Sequence, residues 1–131
     1  MAEEYKVRNM LFLEEDRRKV VKHESGDSFS IKAIFPADRK FISRQMAILQ
    51  NGMPATTYDS NSLYFFEREA VINVCLVADV SPPWWQGADK CPDEELLNWL
   101  YIEIVNWTNE FQARIKKNQF AGTSQATGAL A

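Results

Sequence analysis

The spacing of apolar side chains predicts its clearest element between Asp93 and Lys117. Leu97, Leu100, Tyr101, Ile104, Thr108, Phe111 and Ile115 recur at intervals of three and four, which places them on one face of a helix. Pro92 suits a first helical position, because its missing N–H would be unpaired there anyway. Asp93, Glu94 and Glu95 set negative charge against the positive end of the helix dipole, and Arg114, Lys116 and Lys117 set positive charge against the other end. Trp99 and Ile102 fall off the main stripe, so this helix is expected to meet neighbours on two sides.

Earlier in the chain the period changes. From Tyr5 to Phe35 the pattern predicts a small antiparallel sheet or hairpin. Val7 and Met10 to Leu13 supply one strand, and Val20-Val21 restores β character after the polar bend Glu14 to Lys19. Ser25-Gly26-Asp27 has turn chemistry, and Phe29, Ile31 and Ala33 then alternate with Ser28, Ser30 and Lys32. Helical spacing begins near Pro36, where Phe41, Ile42, Gln45, Met46 and Leu49 fit one face and Gly52 stands at a helix-ending position. Asp59 to Ser62 offers several caps for a further helix from Leu63 to Asp79. Its stripes are Leu63, Phe66, Ala70, Val74 and Val77, with Phe65, Ile72 and Leu76 as a second. Val71 to Val77 is β-branched enough for a strand, but Tyr64 to Ala70 extends the segment past strand length, which favours helix. Pro82-Pro83 ends it.

The fold class is therefore α+β: a small N-terminal antiparallel sheet or hairpin followed by about three helices, the last one long. One compact domain is expected over residues 1–118, with strands mainly in 1–35 and helices mainly in 36–118. Residues 119–131, small and polar apart from Phe120 and Leu130, are expected to form a flexible tail that folding does not need.

Composition narrows the class. The chain has 131 residues, 46% hydrophobic and 25% charged, enough for one core and ordinary for a globular protein. A net charge of −3 and a pI near 5.2 argue against general nucleic-acid affinity. Met1-Ala2-Glu3-Glu4 leads into no apolar run, so no signal peptide is expected, and no stretch reaches the roughly 20 residues of a membrane span. Cys75 and Cys91 lack metal-ligand spacing, and Cys75, in an apolar run, reads as a buried thiol in a reducing compartment.

Chemistry is sparse. His23, the single histidine, stands among Lys22, Glu24 and Ser25 without a nucleophile elbow or glycine-rich oxyanion site nearby. It reads as a solvated turn residue. A zinc site from His23, Cys75 and Cys91 would need a fourth ligand. The acidic clusters Glu14 to Asp16 and Asp93 to Glu95 have structural explanations, in a salt-linked bend and a helix N-terminus. Arg17-Arg18-Lys19 with Lys22 is the best nucleic-acid candidate, but three acids precede it and a solvated, balanced surface accounts for it better. No enzyme activity, cofactor or metal is expected.

The tryptophans carry more. Trp99 and Trp107 belong to the long helix, while Trp84 and Trp85 follow Pro82-Pro83. Either one of these adjacent indoles fills the core and leaves the other to anchor a partner, or both pack on the long helix. Pro83, Trp84, Trp85 and Trp99 are the candidate partner-binding residues.

With that order in view, residues 28–118 resemble the tail assembly chaperones of long-tailed bacteriophages. The resemblance rests on Tyr64-Phe65-Phe66-Glu67-Arg68, the turn Ser81-Pro82-Pro83-Trp84-Trp85, and the acidic-led helix Asp93-Glu94-Glu95-Leu96-Leu97 that ends in Trp107-Thr108-Asn109-Glu110-Phe111. The step Ile31 to Arg39 from strand into helix also fits. It implies a non-enzymatic factor in the cytoplasm of the infected bacterial host, absent from the finished virion. Such a factor coats the tape measure protein and recruits tail tube protein around it. Self-association is left open, and a membrane role is not implied. Many such proteins also have a frameshifted longer form, to which Gly122-Thr123-Ser124-Gln125 could link. Two other classes remain open: a structural virion component such as a head–tail connector or decoration protein, and a small nucleic-acid-binding regulator.

Overall fold

The computed structural model describes residues 4–7 and 10–117, with side chains from Leu13 onward. The expected tail, residues 119–131, lies outside the described residues. The fold is α+β. Strands β1 (Glu4–Val7) and β2 (Met10–Leu13) form an antiparallel pair of their own. Strands β3 (Arg18–Lys22) and β4 (Ser28–Lys32) pair from Arg18↔Lys32 to Lys22↔Ser28, and helices α1 (Pro36–Leu49) and α2 (Ser60–Cys75) follow. A two-residue strand β5 (Leu76–Val77) returns to β4 through Ser30↔Val77 and Ile31↔Leu76. The 24-residue helix α3 (Glu94–Lys117) is the last described element.

The predicted N-terminal sheet is thus two sheets, and its third strand comes from the half of the chain read as helical. The helix expected to reach Asp79 stops at Cys75. Leu76-Val77, the end of the β-branched run, finds backbone partners on β4, where Ser30 N–H also donates to the Val80 carbonyl at 3.0 Å. Pairing of this kind overrides local helical spacing.

Each helix starts where side-chain chemistry permits. In α1, Pro36 takes the first position, and Asp38 Oδ2 accepts from Phe35 N–H at 2.8 Å, one half of a capping box. In α2, Asp59 is the cap chosen among the four candidates, accepting from Ser62 N–H at 2.7 Å. That bond lowers the Asp59 pKa below its ordinary 3.8. Its contribution to stability is therefore complete above that value and fades as acid carries the pH down through the folded pKa. Asp93 caps α3, its Oδ1 accepting from Leu96 N–H at 3.1 Å. Pro92 thus precedes the helix and is not its first residue, because the Asp93 carboxylate competes better for the cap position. Helix α1 ends in a Schellman motif, with Asn51 N–H on Ile48 O at 3.0 Å and Gly52 N–H on Ala47 O at 3.1 Å. The left-handed residue after the cap is Asn51 (φ 54°), so Gly52 (φ 71°) lies one place beyond the expected stop.

The core runs between the β3–β4 sheet and α2 and α3. Phe29, Ile31, Ile72, Leu96, Leu100, Ile104 and Phe111 are its largest fully buried apolar side chains. The predicted α3 stripe is buried at Leu97, Leu100, Ile104, Thr108 and Phe111, and gains Leu96 and Trp107. Thr108 Oγ1 accepts from Ile34 N–H at 2.9 Å and donates to Ile104 O at 2.8 Å, so a polar side chain on the apolar face leaves no orphan group. In α2 the buried residues are Arg68, Ala70, Val71, Ile72 and Cys75: Ala70 and Ile72 come from the two predicted stripes, and Arg68, Val71 and Cys75 from neither. Arg68 is admitted because Nη1 donates to Asn98 Oδ1 at 2.8 Å and Nη2 lies 2.7 Å from Glu94 Oε1. Phe65, expected inside, is exposed, as is Phe41 on α1.

Arg17 departs most from its expected role. It is 6% exposed, pairs with Asp38, donates from Nη2 to Ala33 O at 2.6 Å, and lies 3.6 Å over the Phe35 ring. Its carbonyl accepts from Trp107 Nε1 at 2.7 Å. The basic stretch therefore loses its first member to the interior, and Lys19 stands 3.6 Å from Glu110.

Candidate functional site

The Pro-Trp segment is a tight turn: Trp85 N–H donates to Pro82 O at 3.1 Å, with Pro83 and Trp84 between. Proline in the second place of such a turn has the φ it needs already fixed. Pro82 is buried and Pro83 exposed. The turn sends its two indoles different ways. Trp85 packs against the core, its ring 5.4 Å from Phe29 in an edge-to-face pair. Trp84 is 45% exposed.

Exposure has not left Trp84 loose. Its ring meets Phe29 at 6.5 Å and Trp85 at 5.9 Å, both edge-on, and Nε1 donates to Asp27 Oδ1 at 3.3 Å. Trp99, half-buried on α3, reaches the same centre, 6.3 Å from Phe29. Three of the four candidate residues are thus gathered as rings around one fully buried phenylalanine. Pro83 stands beside them at the surface. Below Trp85 a shallow pocket of about 180 Å³ opens between Ile72, Asn73, Leu76, Ala78 and Ser81.

His23, like Arg17, lies deeper than the sequence suggested. It is 8% exposed, not a solvated turn residue, because Trp99 on α3 covers it at a ring distance of 4.9 Å. Its turn is held by His23 N–H on Asp27 O at 2.8 Å and Gly26 N–H on His23 O at 2.9 Å. Glu24 and Glu95 bring carboxylates to it, and one ligand atom from each of the three residues lies within 4.8 Å of the others. Among the described residues this is the one cluster able to hold a metal ion, and neither cysteine belongs to it. No local signal could have shown this, since Glu95 and Trp99 lie more than seventy positions away.

Cys75 is fully buried, and burial, with the Asp38 charge adding to it, pushes its thiol up to about 12. It stays protonated at neutral pH and is a poor nucleophile. Under native conditions a thiol reagent should label Cys91, which is partly exposed, and reach Cys75 only on unfolding. Equal labelling rates would mean that the core opens around Cys75.

Among the described residues no helix is long and apolar enough to cross a membrane. Comparison with protein-family models, with curated proteins and with solved structures gives no match.

Proposed function

We propose that this chain is a non-enzymatic assembly factor of bacteriophage tails, a tail assembly chaperone that binds the tape measure protein and brings tail tube protein to it in the host cytoplasm. The reading starts from the resemblance of residues 28–118. The observation that carries it is Trp84: a large aromatic ring, 45% exposed, yet fixed by Phe29, Trp85 and Asp27. An indole already held in place loses little freedom when a partner covers it, and tryptophan is enriched among residues that dominate binding energy. Phe41, Ile48, Phe65 and Ile102 add exposed apolar area on the three helices, suited to covering apolar helices of a partner.

The test pairs folding with capture. Trp84→Ala should leave the denaturant midpoint nearly unchanged, within about 0.5 kcal/mol as for most surface changes. It should weaken capture of the tape measure or tail tube protein by about 2 kcal/mol or more, roughly thirtyfold. Leu100→Ala, in the core, should instead cost about 2–5 kcal/mol of stability. If Trp84→Ala folds and still captures both partners, the turn is only a connector. Recovery of the chain from mature particles would favour a structural virion component. Salt-dependent retention on DNA would favour a nucleic-acid regulator, a reading that the internal Arg17 and the paired Lys19 do not support.

A further inference from the structure

Apart from any assembly role, we propose that the free edge of β3 is a docking site for an extended acidic segment of a partner protein, which adds there as a further strand. In the sheet order β3-β4-β5 only one side of β3 is paired. The ends of the ladder fix which backbone groups look outward. Ala33 N–H donates to Arg17 O at 2.8 Å, and His23 N–H donates to Asp27 O at 2.8 Å. Bonded and non-bonded pairs alternate along an antiparallel ladder, so Arg17, Lys19, Val21 and His23 direct their groups to β4. Arg18, Val20 and Lys22 turn theirs to the other side.

The Arg18 N–H returns to Glu15 O. Among the described residues nothing meets the Arg18 carbonyl, or the N–H and C=O of Val20 and Lys22. Such a row is a template on which an extended chain builds main-chain bonds. The side chains beside it are exposed too: Arg18, Val20 and Lys22 share one face of the strand, and Val20 is 59% exposed. Among the described residues neither Arg18 nor Lys22 has an ion-pair partner. Lys19, on the opposite face, is already engaged by Glu110.

These side chains select the occupant. A cross-strand neighbour facing Arg18 or Lys22 gains from a carboxylate, and one facing Val20 from an apolar side chain. The complement is an extended segment with acidic, apolar and acidic residues at alternate positions. A second copy fits poorly, because antiparallel self-pairing about Val20 sets Arg18 against Lys22 twice, and like charges directly opposite are destabilising. Lysine on a bare edge is a usual guard against such self-association. Exposed Glu15 and Glu24 flank the strand and repel further acids, so the favoured segment is no longer than β3 itself.

The test is an NMR titration of the full chain with a short capped peptide that alternates threonine with glutamate, valine and glutamate. Saturable shifts should centre on β3. Solvent exchange of the Val20 and Lys22 amides should slow as peptide is added, while Lys19 and Val21, already bonded to β4, change little. Val20→Pro removes an outward N–H that the β3–β4 ladder does not use and should abolish binding, whereas Val20→Thr should keep it. Arg18→Glu with Lys22→Glu should weaken binding by roughly tenfold or more and make a peptide with lysines in place of glutamates the better ligand. That charge-reversed pair keeps the test decisive if proline unfolds the strand. The proposal is overturned if no saturable binding occurs, if the unmodified chain binds glutamate and lysine peptides equally, or if Val20→Pro folds and binds as before. Concentration-dependent protection of the same amides without peptide would assign the edge to a second copy. Shifts there with a short DNA duplex but not with the peptide would assign it to a polyanion, and either result also overturns the proposal.

Discussion

Asp38→Ala should cost this protein about 3–5 kcal/mol, the penalty for stranding a charge inside a fold. Arg17 and Asp38 are both buried, and Asp38 Oδ1 also receives Lys32 Nζ at 3.4 Å. Removing the carboxylate leaves the guanidinium with the Ala33 carbonyl, the Phe35 face and Glu14 at 3.6 Å, too little to balance its lost hydration. A denaturant midpoint reads the loss. The double change Arg17→Met with Asp38→Ala should recover most of it, since no charge is then left unpaired. What is not recovered is the Phe35 N–H bond to the Asp38 carboxylate, which both variants lose, about 1 kcal/mol. If the single change costs no more than the double, the guanidinium is effectively hydrated and the pair is not the joint between sheet and α1.

Phe29→Ala should rank beside it, at about 3–5 kcal/mol for a buried aromatic. Phe29 has no exposed surface and touches Trp84, Trp85 and Trp99. Its loss should therefore show spectroscopically as well as in stability: the near-ultraviolet circular dichroism of the tryptophans should weaken even in the folded variant. Phe29→Leu, which keeps most of the volume but not the edge-to-face geometry, should lose less stability and still lose part of that signal. An unchanged tryptophan spectrum in Phe29→Ala would mean that the indoles hold one another without it.

These two residues also mark where the sequence was readable and where it was not. Phe29 stands in a clear alternation with Ile31, and α3 announces itself by apolar spacing and terminal charges. Both are local patterns, visible within one element. Arg17 stands in a run of like residues, and nothing in that run says which member turns inward; its partner is 21 positions away. His23 is hidden by α3, and β5 exists because β4 offers it an edge. In each case the deciding neighbour comes from another part of the chain. The Trp84–Trp85 pair was intermediate, since adjacency left open whether the two rings would separate or both pack on the long helix, and the turn geometry decided that they separate and which goes outward.

The bonds that close the core also impose an order on how it can form. Ile34 meets Thr108 across 74 positions, and the Arg17 carbonyl meets Trp107 across 90. A ribosome adding about 5–20 residues per second finishes the sheet a few seconds before α3 exists. Through that interval Phe29 lacks its Trp99 neighbour, and the core lacks Leu96, Leu100, Ile104 and Phe111. The last long helix to be made is therefore the one that commits the rest, and a nascent chain stalled before Leu96 should remain a client of the cell's folding machinery.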